Sequence, residues 1–255
     1  MTKDLDGMTA LVTGGGRGIG RGIALRLGAA GALVAVNYAD NGLAAEDTVR
    51  SIETAGGQAF PLKARLGEEG AIKTLADALA SELTRRTGQA WLDILVNNVG
   101  RAEFGTIATT APDLFDRAIT NNLHVPFFVT QALLPRLRDG GRVINISTAG
   151  TRIAGSEFAA YCIAKAGLEM FTQILAKDLG ARRITVNTVA PGYVRTDQVA
   201  ATVNDPAKAK MLEDATLFGR LGNPDDIADF VYALVSSSGR WVTGQRIEAG
   251  GGFRM

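Results

Sequence analysis

The sequence holds one cysteine, Cys162, and one histidine, His124, among 255 residues. A single thiol closes no intrachain disulfide, and the pair is too small for a Cys/His zinc set, so no metal is expected. An excess of either charge is also missing, with 27 Lys plus Arg against 26 Asp plus Glu. The Arg-Arg pairs at 85–86 and 182–183 are too short for basic tracts, which argues against nucleic acid as a partner. No apolar run approaches the roughly 18 residues of a membrane span. The polar start Met-Thr-Lys-Asp-Leu-Asp-Gly lacks the apolar segment of a signal peptide. A soluble, cytoplasmic chain is the expectation.

What is present is a 46% hydrophobic composition, enough for a large core, with no repeat, low-complexity tract or linker dividing the chain. We read 1–255 as one α/β domain. Short β-rich apolar runs at 9–12, 33–37, 58–62, 92–97, 142–147, 185–190 and 245–248 alternate with helical patterns, the rhythm of βαβ units and a parallel sheet. Ile19, Ile23 and Leu27 mark one stripe of the first helix. Further helices are expected at about 42–55, 68–87, 112–137, 156–180 and 224–236. The least regular stretch, 191–223, contains a charged segment at 205–214 that reads as a helical lid over a substrate site.

The run Thr-Gly-Gly-Gly-Arg-Gly-Ile-Gly at 13–20 follows the first strand directly and opens the first helix. In that context small residues let the turn approach a pyrophosphate, while backbone N–H groups and the helix dipole favour the anion. A dinucleotide cofactor follows. The second strand ends in Asn37-Tyr38, without the acidic residue that takes the 2′-hydroxyl of NAD, and Arg17 stands where a guanidinium meets a 2′-phosphate. Both favour NADP(H) over NAD(H). Asp40, about 20 residues beyond the glycine run, pulls the other way.

Far downstream, Tyr161 and Lys165 lie four apart in Tyr-Cys-Ile-Ala-Lys. On a helix they share a face, so the ammonium is expected to stabilise phenolate and lower a pKa that starts near 10. Such a tyrosine serves as a general acid or base.

Taken in order, 13–20, Asn97-Asn98-Val99-Gly100, Asn122, Tyr161 with Lys165, and Pro191-Gly192 resemble the motifs of a short-chain dehydrogenase/reductase of the compact, one-domain type. The resemblance covers nearly the whole chain and includes Gly219-Arg220-Leu221 through Thr243-Gly244-Gln245. It implies a doubly wound seven-stranded parallel sheet with helices on both faces (a Rossmann fold), a nicotinamide cofactor, and hydride exchange between a carbonyl and an alcohol. The branch it most resembles is that of 3-oxoacyl-acyl-carrier-protein reductases. By the same resemblance Tyr161 is the catalytic acid/base, and Lys165 tunes it and holds the nicotinamide ribose.

The family's substrate-orienting hydroxyl falls thirteen residues before the tyrosine, at Thr148 rather than the usual serine, with Ser147 as the competing candidate. Of the adjacent Asn121 and Asn122, alignment selects Asn122. Pro126 has no N–H to bond its carbonyl in a straight helix, which leaves that carbonyl for a water leading to Lys165. Cofactor contacts carry over to Thr13, Gly14, Gly16, Arg17, Gly18, Ile19 and Gly20 in the first turn, and to Asn37 and Tyr38. Further contacts carry over to Leu66, Asn98, Gly100, Tyr161 and Lys165, and to Pro191, Gly192, Val194 and Thr196. Two departures stand out: Val99 replaces a more common alanine, and Arg65 replaces an aspartate that contacts adenine. His124 and Cys162 read as packing residues. Members of the family are commonly homotetramers built on the two long helices. The rival reading is a non-catalytic dinucleotide sensor or scaffold, whose signature would be a broken catalytic set.

Overall fold

The computed structural model describes residues 4–254; Met1, Thr2 and Lys3 of the polar N-terminal stretch, and Met255, lie outside them. The strands are β1 (Thr9–Val12), β2 (Leu33–Tyr38), β3 (Gln58–Lys63), β4 (Leu92–Asn97), β5 (Leu137–Ile146), β6 (Thr185–Pro191) and β7 (Arg246–Ala249). They pair in the order β3-β2-β1-β4-β5-β6-β7, every pair parallel. Between them run α1 (Gly18–Ala29), α2 (Gly42–Thr54), α3 (Ala71–Thr87), α4 (Pro112–Ile119), α5 (Val125–Leu133), α6 (Gly150–Ile153) and α7 (Ala159–Leu179). After β6 come α8 (Ala200–Val203), α9 (Pro206–Asp214) and α10 (Pro224–Val235).

Side chains alternate across each strand, so a strand buried on both faces must be apolar throughout. Ala10 and Val12 of β1, with Ile94 and Val96 of β4, face a core closed by α1, α2 and α10. Leu11 and Leu95, one residue out of phase, face a second core closed by α3, α5 and α7. The sheet is doubly wound, and its winding reverses between β1 and β4. Ligands bind at the carboxyl ends of strands at such a switch point.

The strands fall where the sequence places them, except that β5 starts at Leu137, inside the stretch read as the end of helix 112–137. A 3₁₀ turn at Leu134–Arg136, containing Pro135, ends the helix early. Leu137 pairs with Leu92 before the register shifts and resumes at Ile94 with Arg142, so the intervening Asp139-Gly140-Gly141 hides the strand from pattern reading. The same expected helix is also interrupted by a π-helical turn at Thr120–His124.

A buried polar chain crosses the α5/α7 face of the sheet. Asn97 Nδ2 donates to Thr130 Oγ1 at 2.9 Å and to Asn145 Oδ1 at 2.8 Å, and Asn145 Nδ2 donates to Thr172 Oγ1 at 2.8 Å. Thr130 and Thr172 spend their own protons on the carbonyls of Pro126 and Leu168. Thr188, 2.7 Å from Thr172 Oγ1, therefore donates in that pair.

Candidate active site

The glycine turn is dictated by close approach. Gly14 and Gly18 hold φ of +64° and +53°, where a side chain is strained. A Cβ on Gly20 would lie 2.3 Å from the Gly14 carbonyl oxygen and 2.4 Å from Asn98 Nδ2. Thr13 Oγ1 accepts from the Asn98 and Val99 N–H groups at 2.9 and 3.1 Å. Asn98 Nδ2 donates to the Thr13 and Gly14 carbonyls at 2.9 and 3.2 Å. The turn after β1 is thus sewn to the segment after β4, and its glycines leave the cradle a pyrophosphate needs. Gly20→Ala is expected to destabilise by the upper end of the roughly 1–3 kcal/mol typical of overpacking, and to weaken NADPH binding. Urea unfolding and fluorescence titration check this; wild-type values in both would contradict it.

Asn37 takes a different place from the one expected. It is 1% exposed. Its Oδ1 accepts from Gly14 N at 3.2 Å, and its Nδ2 donates to the Leu62 and Ala64 carbonyls at 3.1 and 3.2 Å. Its side chain braces the turn from beneath instead of facing a ligand. Leu66 is likewise a core side chain, leaving its backbone for contacts. Arg17 is exposed at the start of α1, and Ile19 packs against the first core. The Tyr38 ring lies against Gly42, and the Thr196 methyl stands 3.3 Å from where a Cβ on Gly18 would be. Pro191 and Val194 are buried, and the Pro191 carbonyl accepts from Ala149 N at 2.8 Å, while Gly192 packs on Gly250. Arg65 forms ion pairs with Asp40 and Glu68, so the two charges that stood apart in the sequence neutralise one another.

Tyr161, Lys165, Thr148 and Asn122 converge beyond the ends of β4 and β5. The Thr148 hydroxyl lies on the Tyr161 side of the site, near enough to oppose the rise in the phenol pKa, and accepts from Gly150 N at 3.1 Å. Ser147, the competing hydroxyl, is turned away and donates to Glu169 at 2.7 Å. Lys165, 3% exposed, donates from Nζ to the Ile146 carbonyl at 2.7 Å. A Cβ on Gly100 would lie 2.7 Å from Asn122 Oδ1 and 3.0 Å from Lys165 Nζ, so that glycine is what allows Asn122 and Lys165 to flank one point. The Asn122 amide clamps the chain there, exchanging hydrogen bonds with the Arg101 backbone at 3.0 and 3.2 Å.

One expectation is corrected. Lys165 is not the dominant influence on the Tyr161 pKa here: Nζ is turned to Ile146 and stands 5.9 Å from the phenol ring centroid. Burial dominates and pushes Tyr161 up to about 12, against a smaller lowering by the Thr148 hydroxyl. Burial likewise pushes Lys165 down to about 8, with the Glu169 carboxylate partly opposing it. Around Asn122 the helix is not straight: the Val125 N–H bonds the Thr120 carbonyl, five residues back, immediately before Pro126, which has no N–H to offer the Asn122 carbonyl.

Sequence reasoning missed Glu169 and Arg246. Arg246 Nε donates to Glu169 Oε1 at 3.0 Å beneath the Thr148 loop. The continued four-residue spacing Tyr161, Lys165, Glu169 was the available signal for the first; nothing local marks the second. Among the described residues no group of His, Cys, Asp and Glu could hold a metal, and no helix is long and apolar enough to cross a membrane.

Fold and site together define a nicotinamide-dependent oxidoreductase. A family model described as enoyl-(acyl carrier protein) reductase matches residues 14–254. Versicolorin reductase of Emericella nidulans is 36% identical over 262 aligned residues, covering 98% of this chain and 97% of that one. Tetrahydroxynaphthalene reductase of Pyricularia oryzae is 36% identical over 266, covering 100% and 92%. Among solved structures, the angucycline C-6 ketoreductase LanV with bound NADP has a TM-score of 0.95 at 44% identity, covering 100% of this chain and 98% of that one. The chain belongs to the short-chain dehydrogenase/reductase family and is an NAD(P)-dependent carbonyl reductase. That sets aside the non-catalytic sensor.

Proposed function

We propose that the protein uses NADPH to reduce a ketone on a hydroxylated fused aromatic ring system, with Tyr161 as proton donor and Thr148 as the hydroxyl that holds the carbonyl oxygen. The observation that carries this reading is the convergence of Tyr161, Lys165 and Asn122 around Gly100, with Thr148 beside the phenol. A phenol so placed is protonated at neutral pH and is available as a general acid.

A bound nicotinamide supplies the hydride that adds to the carbonyl carbon. Tyr161 gives its proton to the oxygen, and Thr148, donor and acceptor at once, keeps that oxygen in line. Lys165, a cation below pH about 8, stabilises the phenolate left behind and holds the nicotinamide ribose. Asn122, across Gly100 from Lys165, forms the outer member of a water-linked relay that returns the proton, through the backbone carbonyl to which Pro126 gives no N–H. The glycine turn, with Arg17, Tyr38, Asn98 and Thr196 around it, takes the rest of the cofactor.

The aromatic preference is supported by the Phe104 and Phe158 rings, centroids 4.6 Å apart, with Phe158 6.5 Å from Tyr161. Leu217 and Phe218, 73% and 74% exposed, add apolar surface on the segment 191–223, which acts as the lid. The naphthalene and ketoreductase relatives agree with it. Purified protein assayed with NADPH against a hydroxynaphthalene, which reacts through its keto tautomer, and a β-ketoacyl thioester tests the choice. Faster turnover of the thioester overturns the aromatic assignment.

NADPH over NADH is supported by NADP in LanV and by the Asp40–Arg65 pair, which cancels the carboxylate that would repel a 2′-phosphate. Arg65→Ala is expected to shift the kcat/KM ratio toward NADH by about fivefold, the scale of an exposed ion pair. An unchanged ratio removes Arg65 from cofactor selection. Phe127, Phe128, Ile163, Met170 and Ile174 leave an exposed apolar stripe on α5 and α7, which supports a homotetramer. Its mass in solution is the check, and a stable monomer refutes it.

A further inference from the structure

α7 presents three functional groups at four-residue steps, and Glu169, the third, plays no part in the chemistry above. Its Oε1 accepts from Ser147 Oγ at 2.7 Å, Thr151 Oγ1 at 2.8 Å and Arg246 Nε at 3.0 Å. Ser147 and Thr151 bracket Thr148 in the chain. Arg246 completes the enclosure, with Nη2 donating to the Thr148 carbonyl at 3.3 Å and to Thr151 Oγ1 at 3.1 Å. The residues either side of Thr148 and its own carbonyl are therefore tied to a single ion pair.

The pair is mostly enclosed, its side chains 14% and 24% exposed, so solvent screens it less than a surface pair. Charge-assisted hydrogen bonds of this kind are about twice as strong as neutral ones. The Thr151 hydroxyl has one proton and two acceptors in reach, the Thr148 carbonyl at 3.0 Å and the Glu169 carboxylate at 2.8 Å. An anion at 169 wins that competition and leaves the Thr148 carbonyl to Arg246. The frame continues outward through Glu248, which accepts from Arg246 at 3.3 Å and from Arg152 at 2.8 and 2.9 Å.

We propose that Glu169, together with Arg246, is a positioning residue that fixes the Thr148 hydroxyl against the Tyr161 phenol and so decides which face of the carbonyl receives hydride. This rests on the reading that Thr148 and Tyr161 act on the carbonyl. Because Glu169 sits on the same helix as the proton donor, acid and orienting hydroxyl are referenced to one rigid element.

The test is Glu169→Gln in the full chain, measuring kcat, KM for NADPH and the enantiomer ratio of the alcohol from a prochiral ketone. A fall in kcat of about 10- to 100-fold is expected, with KM for NADPH unchanged and the enantiomer ratio eroded. Arg246→Lys, which keeps the charge but not the fork, should fall between. In a Thr148→Ala background Glu169→Gln should bring no further loss, since its route is through Thr148. Should Glu169→Gln fail to fold, Ser147→Ala with Thr151→Val, which leaves the ion pair in place, should erode the enantiomer ratio in the same way. Unchanged kcat and enantiomer ratio, an equal loss in the Thr148→Ala background, or a loss matching only the folded fraction each overturn the proposal. Wild-type protein inactive toward every carbonyl defeats the reductase mechanism itself, a separate and recognisable outcome.

Discussion

Tyr161→Phe is expected to lower kcat for carbonyl reduction by about 10²- to 10⁴-fold, the range for loss of a general acid, with NADPH affinity and melting temperature close to wild type. The substitution deletes the phenol oxygen and keeps the ring that packs near Phe158. The Thr148 hydroxyl keeps its hydrogen bond from the Gly150 N–H at 3.1 Å. No buried charge is orphaned, so stability changes little. Stopped-flow turnover and NADPH titration on one preparation separate the two quantities. A variant that keeps a tenth of the wild-type kcat means that another group delivers the proton.

Lys165→Met should lose catalysis and gain stability at neutral pH. The fall of its pKa from 10.5 to about 8 corresponds to roughly 3 kcal/mol spent on burying the ammonium. Below pH about 8 both folded and unfolded chains carry the charge, and that whole penalty stands. Between about 8 and 10.5 the folded chain releases its proton first, so this group makes wild-type stability rise with pH; above 10.5 both states are neutral and the penalty is gone. Tyr161 acts in the opposite sense at higher pH. Its folded pKa of about 12 exceeds the ordinary 10.0, so stability is lost as pH climbs from 10 to 12.

Methionine removes the penalty but leaves the Ile146 carbonyl without its donor, which offsets about 1–3 kcal/mol. The net gain at pH 7 is about 1 kcal/mol, or roughly 2–4 °C in melting temperature, shrinking by pH 9.5. Turnover falls by about 10²- to 10³-fold, the scale of one lost electrostatic contact to the transition state. A melting temperature below wild type at pH 7 with an unchanged gap at pH 9.5 rules the account out. In the wild type the same titration predicts that kcat/KM for reduction declines as pH rises through about 8.

Much of the architecture was legible because parallel strands buried on both faces must be apolar at every position, as in β1 and β4. The glycine turn was legible for a related reason: Gly20 faces a backbone oxygen, and no side chain fits. Thr148 and Tyr161, set thirteen apart in the sequence, were brought together as the resemblance implied. What escaped depended on partners distant in the chain. The start of β5 is fixed by Leu92 across the sheet, not by its own Arg138-Asp139-Gly140-Gly141. Asn37 reads as a ligand contact until β3 and the glycine turn are seen to use its whole amide. The Tyr161 pKa misled because four-residue spacing fixes a shared face but not which way an ammonium points, and Lys165 points to β5.

The polar chain from Thr130 through Asn97, Asn145 and Thr172 to Thr188 has a bearing on recombining this sequence with its relatives. Its members come from five separate segments, and each amide orientation is dictated by the next hydroxyl, so it behaves as a lock with interdependent pins. A chimera whose crossover falls between β4 and α5, or between β5 and α7, inherits pins from two parents. Unless both parents carry the same set, it strands a buried donor or acceptor under an otherwise well-packed sheet. Crossovers before β4 or after β6 keep the lock whole, and those are the junctions at which swapping substrate-binding segments between relatives leaves the folded frame undisturbed.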